Sequence, residues 1–154
     1  MDLMPDDSTS ALPPTMTAWR QHRYGGTESV IAETVALPVP GPGEVLLQVR
    51  ATAINAGDIH LMRGEPLLVR LIFGLRRPKH AVRGMDVAGT VIGLGPDVAG
   101  FAAGDEVVGE LPGLVAAGRL RPVIEATYPL TEAPAALAHV DAGHTVGKVV
   151  VVAE

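Results

Sequence analysis

Apolar residues along this chain fall into short runs cut by glycine and proline, a rhythm that predicts many short strands rather than long helices. The longest expected strand is VLLQVRATAI at 45–54, apolar enough to be buried over much of its length. The stretch before it, PVPGPGE at 38–44, carries three prolines that remove backbone donors, so it must be a turn. Residues 17–24 and 29–37 read as two further strands parted at Gly25 and Gly26. After the long strand, NAGDIHLMRG at 55–64 reads as a short helical or turn segment. Residues 67–75 are apolar and run into the basic RRPKH at 76–80, either a mobile loop over a site or a solvated face. Between residues 83 and 96, Val87, Val91, Ile92 and Leu94 are strand formers, and Gly84, Gly89, Gly93 and Gly95 mark bends or close backbone approaches. Residues 101–109 read as a turn and a short strand.

Beyond residue 110 the pattern changes. Residues 114–120 suit a short helix, 122–128 a strand, and 131–142 a helix with Thr131 as N-cap and Pro134 in the first turn. Leu137 and Val140 give that helix a sparse apolar stripe, and 148–152 is a buried strand. Residues 1–15, polar and proline-rich, read as a flexible tail. The expected organisation is therefore that tail and one domain over 16–154, with 16–110 as its barrel core and 111–154 completing it. The fold class is mainly β with short helices.

Composition narrows the function. The net charge is −5 and the Lys and Arg residues form no long tract, which argues against nucleic acid and anionic membrane surfaces as partners. With no cysteine, disulfides, thiol nucleophiles and cysteine-ligated zinc are excluded. No run approaches the roughly 18 apolar residues of a membrane span, and the acidic start is unlike a secretory signal, so a soluble, cytoplasmic protein is expected. No cofactor site is expected either. The nearest match to a dinucleotide fingerprint, GLGPDV at 93–98, has a proline after its second glycine and no third glycine in time.

Candidate chemistry concentrates at 55–64, which holds Asn55, Asp58, His60 and Arg63. The i, i+3 spacing places Asn55 and Asp58 on one side of a helical turn. Asp58 has two readings: a carboxylate at the floor of an apolar cleft, its pKa raised by desolvation, or a cap bonded to backbone amides. His60 is either a proton shuttle or a half-buried ring satisfied by a backbone carbonyl. Arg63 could clamp a substrate carboxylate or phosphate, but pairing with Glu65 or Asp86 is expected instead, a buried ion pair being the preferred account of Asp86. Lys148 reads as a strand-edge charge, and Trp19 and Tyr24 as packing residues.

Five blocks in order, PGPGEVLLQV (40–49), NAGD (55–58), RG (63–64), GMDVAGTV (84–91) and GDEV (104–107), resemble the GroES-like catalytic domain of the medium-chain dehydrogenase/reductase superfamily. The likeness is strongest to the zinc-independent quinone oxidoreductase and enoyl reductase branch. AGRLRPV (117–123), YPLTEAP (128–134) and GHTVGKV (143–149) resemble the C-terminal end of the same family. The resemblance implies a GroES-like, partly open β-barrel. Between the two groups of blocks a relative carries a Rossmann domain, whereas here Glu110 runs straight into Leu111. The family's zinc enzymes would hold a cysteine and a histidine where this chain has Asn55 and Met85, so no metal is expected. In the zinc-independent branch the polar cluster after this strand faces nicotinamide and substrate, which implies a catalytic set of Asp58, His60 and Asn55. Arg63, Met85, Leu67 and Phe73 are the substrate contacts expected around it. In full-length relatives a basic residue near His144 or Lys148 would reach the cofactor phosphates.

A catalytic domain without its coenzyme half exposes an apolar face. Such a face must pair with a second copy, be closed by residues 65–80, or take an apolar ligand. The expected function is a stand-alone, cofactor-independent enzyme acting on a small apolar substrate by isomerisation, dehydration or cyclisation. Two alternatives stand beside it: a truncated catalytic domain of an NADPH-dependent quinone or enoyl oxidoreductase, and a non-catalytic binding module.

Overall fold

The computed structural model describes residues 12–82, 84–109 and 123–153. The helix expected at 114–120 lies outside them. The chain opens with a hairpin of β1 (Thr15–Gln21) and β2 (Val30–Ala36), paired antiparallel from Thr15↔Ala36 to Gln21↔Val30. Then follow β3 (Val45–Ile54), α1 (Ala56–Arg63), α2 (Leu68–Phe73), β4 (Val87–Leu94) and β5 (Glu106–Gly109). The last described stretch supplies β6 (Ile124–Pro129), α3 (Ala133–Asp141) and β7 (Lys148–Val152). Among the described residues the architecture is mainly β with three short helices, and the mainly-β class is as the pattern predicts. Its strands form two open sheets, the β1–β2 hairpin and a five-stranded sheet in the order β5-β4-β3-β7-β6, rather than a closed barrel.

Local chemistry explains these elements. The run at 45–54 becomes β3 with the predicted bounds, because the proline-rich turn fixes its start and the polar cluster ends it. One glycine in β4 and one just after it are demanded by close approach: a Cβ on Gly89 would lie 2.5 Å from the Gln48 carbonyl oxygen, and one on Gly95 would collide with that of Gly41. The β3–β4 ladder shifts register between Leu46 and Leu47 and again between Val49 and Ala51. Strand β6 pairs parallel with β7, and α3 provides the crossover that a parallel pair requires.

Two expectations are corrected here. Helix α3 begins at Ala133 with Glu132 at its N-cap and no side-chain cap bond, whereas Thr131 belongs to a 3₁₀ turn, Leu130–Glu132, that feeds directly into the helix. Pro134 in the first turn presets the backbone without needing a donor, so no hydroxyl cap is required. Lys148 is not on a strand edge, because β7 lies between β3 and β6.

The core is Val30, Ile54, Ile59, Met62, Ala133, Ala136, Leu137, Val149 and Val151, with Trp19, Tyr128, Leu130 and Val140 packed around it. It draws on β2, β3, α1, α3 and β7 together. Trp19 ties the hairpin to the C-terminal unit by donating its indole N–H to the Leu130 carbonyl at 2.7 Å.

Candidate functional site

Helix α1 starts where β3 leaves the sheet. Asn55 is its extended N-cap, and Gly64, in the left-handed conformation with φ 66°, closes it through a 2.8 Å bond from its N–H to the His60 carbonyl. Asp58, three positions into the helix, turns its carboxylate back to accept the Asn55 backbone N–H at 2.8 Å. The side chain is 1% exposed and lies among the core residues of α1 rather than on a cleft wall. Geometry thus supports the capping role of Asp58. We expect Asp58→Asn to cost about 1 kcal/mol of stability and to leave ligand affinity unchanged, as read by urea unfolding and ligand titration. A variant of native stability that had lost turnover would restore the acid–base role.

The remaining expected residues separate. His60 is exposed on the outer side of α1 rather than half-buried. Arg63 does not pair with Asp86; its guanidinium bonds the Asp141 carboxylate at 2.6 Å, joining the last turns of α1 and α3, and that carboxylate raises the arginine's pKa. The reason is distance along the helix. Arg63 sits at the far end of α1, roughly 12 Å of helix rise from the Asn55 end, where Asp86 lies. Met85 packs against the first turn of α1, its methyl so close to Gly57 that a Cβ there would lie 2.8 Å away. Leu67 is the N-cap and Phe73 the last residue of α2, and neither lines the cleft beside Asn55.

What converges on Asn55 is Lys148, which the sequence offered only as a strand-edge charge. Antiparallel pairing of Ile54 with Val149 brings Asn55 alongside Lys148. The Lys148 ammonium donates to Asn55 Oδ1 and, at 3.0 Å, to Asp86 Oδ2. Asn55 Nδ2 donates to the same carboxylate oxygen at 3.1 Å. Thr52 Oγ1 holds the Asp86 carbonyl at 2.7 Å. This polar triad borders a cleft of about 600 Å³ whose walls include Ile54, Val123, Val140 and Val146. The pairing that assembles it spans 93 residues of sequence, so local spacing could not reveal it.

A second cluster controls the loop on the other side of the cleft. Glu125 Oε2 accepts the backbone N–H groups of Val146 (2.6 Å) and Gly147 (2.7 Å). Its other oxygen meets His139 Nε2 at 3.1 Å, and His139 Nδ1 meets the Tyr128 hydroxyl at 3.0 Å. The two backbone donors, Gly147 first, hold the Glu125 pKa below its ordinary 4.5. A lowered native pKa means stability that is fully present above the unfolded value and is lost as pH falls through the native one. The stability gap between wild type and Glu125→Gln, measured by urea midpoints, is therefore expected to narrow below about pH 4.5. A gap independent of pH would remove this role.

The family resemblance implies a nicotinamide dinucleotide, but the described residues do not fit one. The glycines at 93–98 end β4 and enter a turn: Gly95 donates to the Glu44 carbonyl at 2.9 Å, and its missing side chain makes room for Gly41. No helix follows to present free N–H groups to a pyrophosphate. Among the described residues no group of three or more His, Cys, Asp and Glu could hold a metal, and no helix is long and apolar enough to cross a membrane.

Residues 41–119 match the family described as the alcohol dehydrogenase GroES-like domain. The chain is 33% identical over 108 residues to 2-methylene-furan-3-one reductase of Solanum lycopersicum, covering 69% of this chain and 26% of that protein. It is 36% identical over 102 residues to trans-enoyl reductase RAP2 of Pyricularia oryzae, covering 66% and 25%. Among solved structures, an alcohol dehydrogenase superfamily protein from Novosphingobium aromaticivorans aligns with TM-score 0.50 and 35% identity, over 62% of this chain and 26% of that one. The structure of AibC aligns with TM-score 0.52 and 31% identity, over 69% and 29%. The chain thus spans about a quarter of the length of these curated relatives. On its matched domain and its fold, the chain belongs to the GroES-like domain family of the medium-chain dehydrogenases and reductases.

Proposed function

We propose that this chain binds a small apolar carbonyl compound in the cleft beside Asn55 and Lys148 and promotes proton-transfer chemistry on it. The observation that carries this reading is the Lys148 ammonium, held by Asn55 and Asp86 at the edge of a cleft with aliphatic walls. An ammonium has three donors. Two are used in the triad, and the third is available to a ligand oxygen. Donation to a substrate carbonyl draws electron density from it and acidifies the α-carbon. A water molecule in the open cleft takes the α-proton, the enolate forms with its oxygen held by the Lys148 ammonium, and water returns a proton at the same or a conjugated carbon. That sequence isomerises or exchanges the substrate without net oxidation. Dehydration and cyclisation of a β-hydroxy or unsaturated ketone would draw on the same polarised carbonyl.

A second reading is favoured by the relatives, whose names include reductases and of which this chain covers about a quarter. In it the chain is the substrate-side part of an NADPH-dependent reductase, and a further unit supplies the cofactor. One experiment separates the two: incubation of the purified chain with a small α,β-unsaturated ketone in D2O, with and without NADPH, followed by NMR. Deuterium uptake at the α-carbon without NADPH, abolished in Lys148→Met, supports proton-transfer chemistry. Ligand-induced shifts of the Lys148 resonances without deuterium uptake, and saturation of the double bond only when NADPH and a separate cofactor-binding unit are both added, support the second reading. Neither reaction, together with no ligand-induced shift of the Lys148 resonances, sinks both.

A further inference from the structure

Helix α2 is built inside out. Its charged residue, Arg70, faces the protein: the guanidinium stacks 4.6 Å over the Tyr24 ring and donates to the carbonyls of Gly64 (3.0 Å) and Arg63 (3.3 Å). The opposite stripe, Leu67, Leu68, Leu71, Ile72 and Leu75, is between 65% and 70% exposed. These positions recur at intervals of three and four, so they share one face of the helix and its extension. The segment is firmly placed. The Tyr24 hydroxyl donates to the Gly74 carbonyl at 2.6 Å, and the Lys79 N–H returns to the Phe73 carbonyl at 2.8 Å. Gly74 itself has φ 121°, and a Cβ there would lie 2.0 Å from the Arg77 carbonyl oxygen, so the tight turn after α2 is specified by sequence.

That turn folds back on the end of α2, at Phe73 and Gly74, and carries Arg76, Arg77 and Lys79, all exposed. Residues 66–85 contain no Asp or Glu, in a chain whose net charge is −5. The local balance therefore opposes the global one. An aliphatic stub rimmed by cations, held on the body through its one inward arginine, matches the interfacial anchors of peripheral proteins.

The geometry points to an anionic lipid surface as the occupant of this face, with the leucines entering the headgroup boundary and Arg76, Arg77 and Lys79 meeting the lipid phosphates. A symmetric contact with a second copy fits less well. It would bring like parts of both copies together and set the two basic turns near each other. The inference does not depend on the chemistry assigned to the cleft.

The test is co-flotation of the purified full chain with vesicles of phosphatidylcholine alone or mixed with phosphatidylglycerol. Binding to the anionic vesicles that weakens with salt is expected. Arg76→Gln with Arg77→Gln should lower the partition roughly 30-fold, from the contribution of each basic residue near an anionic surface, and Leu68→Ser with Leu71→Ser should abolish it. Both pairs are exposed, and an unchanged circular dichroism melt confirms that the fold survives. Absence of flotation with either vesicle overturns the proposal. Equal binding to both vesicle types overturns the role of the basic turn. Self-association without lipid that Leu68→Ser with Leu71→Ser removes would give the face to a second copy and overturn the lipid assignment.

Discussion

Met62→Ala is expected to cost this protein about 2–5 kcal/mol in urea unfolding, the range for truncating a buried methionine in a core that only partly collapses around the cavity. Met62 has no exposed surface and, among the described residues, is the largest of the fully buried side chains. It sits where α1 packs into the core formed with β2, α3 and β7. Its backbone is engaged too. The Met62 carbonyl accepts the Gln21 amide at 2.7 Å and the Gly25 N–H at 3.2 Å, so a shift of α1 would disturb the end of the β1–β2 hairpin. Against a typical domain stability of about 5–15 kcal/mol, a loss of this size leaves little margin. Leu71→Ala removes a comparable side chain from the exposed face of α2 and is expected to stay within about 0.5 kcal/mol of wild type. A small effect at Met62, or equal effects at both positions, would mean that α1 does not anchor the core.

How much of this was legible in the sequence depends on the range over which each feature is decided. Strand β3 was legible to the residue, because a proline-rich turn and a polar cluster bracket an uninterrupted β-forming run. Close approach was one of the readings open for the glycines at 84–95, and Gly89 in β4 and Gly95 just after it meet the carbonyls of Gln48 and Gly41. Asp58 as a cap was one of two local readings, and Asn55 three residues before it was the clue. The partners of Arg63, Asp86 and Lys148 could not be read locally. Each is set by pairings across the fold: α1 against α3, and β3 against β7. The apolar stretch at 67–75 gave no alternation and no caps, so it was assigned to no element. It is helix α2, held by the contacts of Arg70 with Tyr24, Gly64 and Arg63 rather than by burial of its leucines.

Lys148→Met tests the cleft most directly. Methionine keeps much of the reach and aliphatic bulk of lysine but brings no donor and no charge. If the ammonium is the group that meets a ligand oxygen, its loss removes a charge-assisted hydrogen bond, about 1.5–3 kcal/mol, and weakens binding of a small unsaturated ketone roughly 10- to 100-fold. Stability should respond far less. The Lys148–Asp86 pair is partly open to water, with side-chain exposures of 31% and 17%, so screening reduces its net worth to about 1 kcal/mol or less. Asn55 Nδ2 still donates to Asp86 after the substitution, so the carboxylate keeps a partner in the triad. Calorimetric titration and thermal melting of the same samples separate the two effects. Weak binding with a nearly native melting temperature assigns Lys148 to the ligand, and Lys148→Arg should then recover part of the affinity by restoring the charge. Unchanged affinity would remove Lys148 from the site. A matched fall in affinity and stability would make it a brace between β7 and the start of β4, and the cleft chemistry would have to be sought in another donor.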